Sequence, residues 1–388
     1  MSPQAIVAGH ICLDLIPGLE SGHAQADKLV APGRLVEVGP AVTSLGGSVP
    51  NTGLALHRLG LPVRLLGKVG DDVLGRATLD LLSRFDPQLA QGMIVSEGEN
   101  SSYTIVFSPP GRDRAFLHYS GPNDTFSAND IPYDELSGAQ LFHFGYPTLM
   151  RRMYADAGAE MAAIYRGVKE RGLITSLDIG MPDFNSPAGR SDWPRWLESV
   201  LPYVDVFFPS LDELLMVFDR QRLESLASTE NFGERVDVDL LNSFAERLLS
   251  MGAGAVAVKL GDQGLYLRTG PRLAARLPVA DSWNARELLV PCYQVEVVGT
   301  TGAGDTTIAG FLAALLREKS PDETINRAVA VGACSVEATD ALTGIPAWDA
   351  VEARLAAGWK RRSIDFALDR WSWNESAGVW TGPRDESG

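Results

Sequence analysis

The chain has 388 residues, of which 45% are hydrophobic and 21% charged. That balance belongs to a globular protein and excludes a disordered one. Acidic residues number 49 against 34 basic ones, for a net charge of −15. Such a surface repels phosphate backbones and anionic bilayers, so neither nucleic acid nor membrane is an expected partner. No apolar run is long enough to span a bilayer, and no basic stretch precedes an apolar one at the start. A soluble cytoplasmic protein is the expectation. Cys12, Cys292 and Cys334 are scattered, form no CxxC, and read as packing thiols in a reducing compartment. The five histidines show no ligand spacing such as HxxxH, which argues against zinc.

In chain order, Ile6–Ala8 is the first predicted strand. Leu13–Pro17 and Leu35–Thr43 read as a hairpin joined by a polar loop, Gly18 to Pro32. Pro50 to Arg58 is a predicted helix stopped by Gly60. A strand at Val63–Gly67 leads to a helix from about Val73 to Phe85. Ser102–Phe107 and Ala115–Tyr119 read as a second hairpin, turning through Ser108 to Asp113. Leu141–Phe144 is a strand, Tyr154 to Arg171 one long helix closed by Gly172, and Ile174–Asp178 and Val204–Phe208 are strands. Gln221 to Asp237 is polar and aperiodic, a surface loop. Leu240 to Ser250 is a helix stopped by Gly252, Ala255–Leu260 a strand, and Thr306–Arg317 and Glu323–Val336 two helices. The tail beyond Ile364 carries Trp371, Trp373 and Trp380 among polar residues.

Apolar strands separated by helices specify a parallel sheet covered on both faces. The two hairpins fall outside that alternation and read as a small separate sheet, a lid over a cleft. The expected organisation is one domain over residues 1–364, with lid strands within about 12–43 and 102–119, and a tail at 365–388.

Three segments carry chemistry. The first is Val298 to Phe311, where a β-rich run enters Gly302-Ala303-Gly304-Asp305 and then a helix. Glycines let backbone N–H groups converge, and the helix dipole adds positive potential, so this is an anion site. It differs from a P-loop in placing Asp305 where Lys belongs. A carboxylate beside a phosphate is repelled, and one role that offsets this is taking a proton from an attacking hydroxyl; the alternative is a simple helix N-cap. The second is Gly46-Gly47 with Asn51 on the following helix, where a ligand can approach backbone and meet an amide. The third is Gly9 to Asp14, a strand exit carrying a lone carboxylate, Asp14, in an apolar stretch.

With these segments occur Gly67 to Gly75, Ser120-Gly121-Pro122-Asn123, Asp205 to Glu213 and Val258 to Gly264, in that order. Together they resemble the PfkB, or ribokinase-like, carbohydrate kinases over roughly residues 5 to 357. The resemblance implies an α/β fold, a three-layer α/β/α sandwich with a mostly parallel central sheet and a small β-sheet lid. It implies transfer of the γ-phosphoryl group of ATP to a hydroxyl of a sugar or sugar-like substrate. By it, Asp305 is the general base, and Gly302, Ala303 and Gly304 form the anion hole. Asp14, Gly47, Asn51 and Asn123 hold sugar hydroxyls. Lys259, Gly261 and Gly264 lie along the nucleotide, and Glu213 acts on Mg²⁺ through water. ATP and Mg²⁺ are the implied cofactors, and a homodimer through the lid is left open.

The sequence departs from the family in two places. Ser210 replaces the Asn of an Asn-x-x-Glu pattern, and Gly299 stands where many members carry an Asp that helps bind a monovalent cation. Little potassium activation is therefore expected. Two other readings stay open: a nucleoside kinase with a base pocket near Phe107 or Phe116, and a non-catalytic sensor. Against a sensor, a pure binder gains nothing from a carboxylate facing phosphate.

Overall fold

The computed structural model describes residues 3–19, 32–33, 35–109, 114–226, 236–277 and 280–386. Strands are numbered along the chain. β1 (Ala5–Gly9) is buried throughout. Its side chains alternate: Ile6 and Ala8 enter one hydrophobic core, Ala5 and Val7 the other. That two-sided burial is why the strand reads as a continuous apolar run. The main sheet also contains β4 (Val63–Gly70), β5 (Met93–Ser96), β8 (Leu141–Gly145), β9 (Ile174–Asp178), β10 (Val206–Phe207) and β11 (Ala255–Lys259). β12 (Leu265–Thr269), β13 (Glu287–Val290), β14 (Ser372–Asn374) and β15 (Val379–Thr381) complete it. The spatial order is β14-β15-β13-β12-β11-β10-β9-β8-β1-β4-β5. Every pairing from β11 to β5 is parallel, and every pairing beyond β11 is antiparallel.

Helices Ser48–Arg58, Ala303–Leu315 and Pro321–Ser335 cover one face through Leu54, Phe311 and Val329. Helices Ala159–Lys169, Trp193–Val200, Leu211–Phe218 and Val238–Ser250 cover the other through Ile164, Trp196, Leu214 and Leu248. The lid is a four-stranded sheet of β2 (Cys12–Gly18), β3 (Gly39–Gly46), β6 (Tyr103–Phe107) and β7 (Ala115–Tyr119), in the order β3-β2-β6-β7. Its two antiparallel hairpins meet where β2 and β6 pair in parallel.

The chain leaves β1 for β4 on one side and returns through β8 on the other. Loops diverge at such a switch point and leave a crevice at the carboxyl ends of the strands. His10, Tyr146, Asp178 and Lys259 all stand at or just past those ends. Among the described residues no helix is long and apolar enough to cross a membrane.

Three expectations need correction. The helix expected from Tyr154 to Arg171 is broken: Arg151–Tyr154 ends first, and Ala159–Lys169 follows. Left-handed backbone at Asp156, Ala157 and Gly158 interrupts it, although apolar periodicity runs on across the break. The strand expected at Val204–Phe208 shortens to Val206–Phe207. The expected loop from Gln221 overlaps a helix, Arg220–Ser225, capped by Asp219, and its end, Asp237, caps the next helix through the Leu240 amide at 2.7 Å. Residues 227–235 within it lie outside the described residues, as do most of the first hairpin's loop and most of the second hairpin's turn. The tail beyond Ile364 packs back on the body: β15 pairs with β13 and extends the main sheet.

Candidate active site

The helix Ala303–Leu315 begins at a left-handed Gly302, φ 67°. A Cβ there would sit 2.4 Å from the Ala341 Cβ, so backbone conformation and crowding both demand glycine. The helix's N-cap is Gly302, without a side-chain cap. Asp305 is therefore in the first turn rather than before it, and it caps nothing. Its Oδ2 accepts from the Asn51 amide at 2.9 Å and the Tyr146 hydroxyl at 2.7 Å. Its Oδ1 is buried and has no partner among the described residues. Asp305 is 2% exposed. Burial, then the nearby Asp178 carboxylate, push its pKa up to about 7; Tyr146, Lys259 and Asn51 pull the other way.

Asp305 forms part of the floor of a cavity of about 970 Å³ between the lid and the strand ends. The glycine turn Gly302, Ala303 and Gly304 lies beside it. The first turn of a helix has N–H groups without intrahelical acceptors, so an anion there meets donors and a positive dipole end. Lys259, at the end of β11, extends its Nζ to the Asp178 carboxylate at 2.7 Å. Burial opposes its charge, but Asp178 and Glu213 outweigh that and hold its pKa above the ordinary lysine value. A Cβ on Gly304 would touch the Lys259 side chain at 3.4 Å, so the ammonium lies against the anion turn.

Glu213 lines the same cavity. Its Oε2 accepts from the Ser210 amide at 2.7 Å, while the Ser210 hydroxyl accepts from the Glu213 amide at 3.2 Å. Ser210 in place of the family's Asn thus completes a capping box for Leu211–Phe218. Burial pushes Glu213 up to about 7, with Lys259 opposing and Asp178 adding to the rise. Asp178 and Asp212 line the cavity with Glu213. At Gly299, a Cβ would press on the Ala338 and Thr339 carbonyls at 2.8 and 3.0 Å.

Beside the glycine turn, a smaller slot of about 310 Å³ runs under Gly261, Gly264, Cys292, Tyr293 and Val336. On the opposite side, Gly47, Asn51 and Asp14 line the main cavity. Gly47 has φ 97°, and a Cβ on it would meet the His10 carbonyl oxygen at 2.5 Å. Asp14 accepts from the Cys12 thiol at 3.4 Å, and burial raises its pKa. Asn123 is not in the cavity wall. Its amide is spent on backbone, accepting from the Ile11 N–H at 3.1 Å and donating to Ile11 and Ser120 carbonyls at 2.9 and 2.8 Å. That ties the lid's first strand to the loop after β7.

Sequence reasoning missed Tyr146, Asp178 and Arg114 as site residues. Asp178 ends β9, a position at which doubly wound sheets place functional groups, and that signal was available. Tyr146 is left-handed at φ 61° and held by its N–H on the Asp178 carbonyl at 2.9 Å; nothing in its local sequence announces it. Arg114 reaches from the lid to the hydroxyls of Thr300 and Thr301, bridging the cavity mouth.

Residues 5–348 match the model of the pfkB family carbohydrate kinases, and the chain belongs to that family. A sugar kinase of Archaeoglobus fulgidus, itself uncharacterized, is 29% identical over 76% of this chain and 98% of its own. The 2-dehydro-3-deoxygluconokinase of Bacillus subtilis is 25% identical, over 84% of this chain and 90% of its own. The solved Arabidopsis thaliana ribokinase, complexed with ribose and ATP, superposes with a TM-score of 0.69 at 20% identity, covering 92% and 99% of the two chains. The expected fold, the family and carbohydrate kinase activity stand.

Proposed function

We propose that the protein transfers the γ-phosphoryl group of ATP to a hydroxyl of a sugar, with Asp305 as general base. The observation that carries this is the free Oδ1 of Asp305, buried on the cavity floor at the first turn of a helix. A carboxylate there is costly unless it works on a proton. In this reading the substrate hydroxyl donates to Oδ1, while Asn51 and Tyr146 hold Oδ2 and fix the carboxylate's plane. Asp14 and Gly47 line the sugar side. As the hydroxyl loses its proton to Asp305, its oxygen attacks the γ-phosphorus and ADP leaves. The N–H groups of Gly302, Gly304 and Asp305 and the Lys259 ammonium face the charge that spreads over the phosphoryl oxygens, the Ala303 N–H being engaged by the Thr300 carbonyl at 3.3 Å. The apolar slot beside Gly264 suits the adenine ring. Glu213 and Asp178 would hold hydrated Mg²⁺, which supplies charge neutralisation on the phosphates.

The deciding experiment is an ATP-consumption screen over neutral pentoses and hexoses, keto-sugar acids and nucleosides. Saturable turnover with a sugar supports the reading. Turnover confined to nucleosides, or none with any acceptor, overturns it.

A further inference from the structure

Three chemistry-bearing side chains, His10, Cys12 and His118, converge where the lid meets the body. One ligand atom of each lies within 4.8 Å of the others. No spacing in the sequence points to this cluster, because it draws on the end of β1, on β2 and on β7. The lid's pairing assembles it. Thr104 on β6 is opposite both Asp14 on β2 and His118 on β7. Side chains that share register across neighbouring strands share a face, here the face toward the cavity.

The geometry points to a site for a zinc-class divalent cation formed by His10, Cys12 and His118, whose occupancy excludes substrate from the main cavity. The two imidazoles face one another with Nε2 to Nε2 at 3.2 Å. Two nitrogens on one tetrahedral zinc lie about 3.3 Å apart, given Zn–N bonds of about 2.0–2.1 Å. His118 Nδ1 lies 3.0 Å from the Thr104 hydroxyl. With Nε2 on a metal, Nδ1 carries the proton and donates to that oxygen, the outer contact that fixes a ligating imidazole. Cys12 Sγ lies 3.4 Å from both Thr104 Oγ1 and Asp14 Oδ1. On binding, the thiol releases its proton to solvent and sulfur bonds the ion, with water completing the tetrahedron.

His10 is 1% exposed, and its Nδ1 has no partner among the described residues. With Nε2 on a metal, that Nδ1 carries the proton and its N–H stays unpaired, a cost the metal bonds have to exceed. The ligand set of two nitrogens and a sulfur selects zinc or cobalt over magnesium, so the Mg²⁺ of the transfer reaction does not compete. The same residues wall the space assigned above to the sugar. Exclusion of substrate rests on that reading; metal binding does not.

Titration of the full-length, chelator-treated, Mg²⁺-free protein with Co²⁺ tests the site. A tetrahedral thiolate site gives intense visible bands and a near-ultraviolet sulfur-to-cobalt band. Cys12→Ser should remove the sulfur band, and His118→Ala, on an exposed strand, should weaken binding at least about tenfold. Zn²⁺ should bleach the spectrum by displacement. A weak octahedral spectrum, or one unchanged in both variants, overturns the site. Once the screen identifies a sugar, raising its concentration should relieve Zn²⁺ inhibition. Inhibition that sugar leaves untouched overturns the exclusion and spares the site. If no sugar is phosphorylated, the cobalt spectra still decide the metal.

Discussion

Replacing Asp305 by Asn keeps the shape of the side chain and removes its ability to take a proton. Turnover should fall by about two to four powers of ten while ATP binding, measured by calorimetry, changes little. Near wild-type turnover in this variant would strip Asp305 of the role. The carboxylate's pKa makes a second prediction. Burial first, then Asp178, raise it to about 7, and a base acts only when ionised. kcat/KM should therefore fall as pH drops below about 7 and level off above it. Glu213 is raised to about 7 as well, so wild-type data alone report a shared titration. Tyr146→Phe separates them. It removes a hydrogen bond that stabilises ionised Asp305, so the acidic limb should move to higher pH. A limb that stays in place assigns the titration elsewhere.

Elements differ in how much of themselves they wrote into the sequence. The parallel strands other than β5 were legible because burial on both faces makes them short apolar runs, as in Ile6–Ala8, whereas β5 at the sheet edge is half-exposed and went unread. Both lid hairpins were legible from paired β-rich runs. The antiparallel strands β12 to β15 went unread, since their pairing depends on distant partners such as Leu289 with Trp380. The break at Asp156–Gly158 also lay beyond reach. A Cβ on Gly158 would meet the Trp196 ring at 2.7 Å, a contact from another helix. In the site, glycine motifs announced the anion turn, whereas Tyr146 and the His10–His118 pair depend on convergence of strand ends. Gly302 shows how tightly the turn is specified. Gly302→Ala forces a left-handed alanine against Ala341 and should cost about 1–3 kcal/mol in denaturant unfolding. It should also slow turnover by displacing the first helical turn. Unchanged stability would mean that the loop relaxes freely and that its geometry is not strictly set.

Across the whole molecule, the C-terminal segment closes the antiparallel side of the main sheet. Asp385, 1% exposed at its side chain, pairs with the Arg286 guanidinium at 2.9 Å and accepts from the Glu287 amide at 2.9 Å. Val379 is fully buried, and Trp371 packs on Tyr266. Removing residues 371–388 would uncover β13, whose four residues are all buried, as a bare apolar edge. Arg286 would keep Asp322, at 3.1 Å, and lose its more buried partner. Burying one valine is worth about 1.5–3 kcal/mol, and a half-broken buried ion pair adds to the loss. The truncated protein should thus be less stable by about 3 kcal/mol or more and prone to aggregate through the freed edge. The strand ends that wall the sugar side, at β1, β8 and β9, lie away from β13, so whatever fraction folds should retain its KM for sugar, whereas the slot beside Gly264, Cys292 and Tyr293 adjoins the uncovered strand and KM for ATP should rise. Thermal unfolding and size-exclusion chromatography, with kinetics on the monomeric fraction, check both halves. An unchanged melting temperature and a clean monomer would show that β14 and β15 add nothing to the fold's stability.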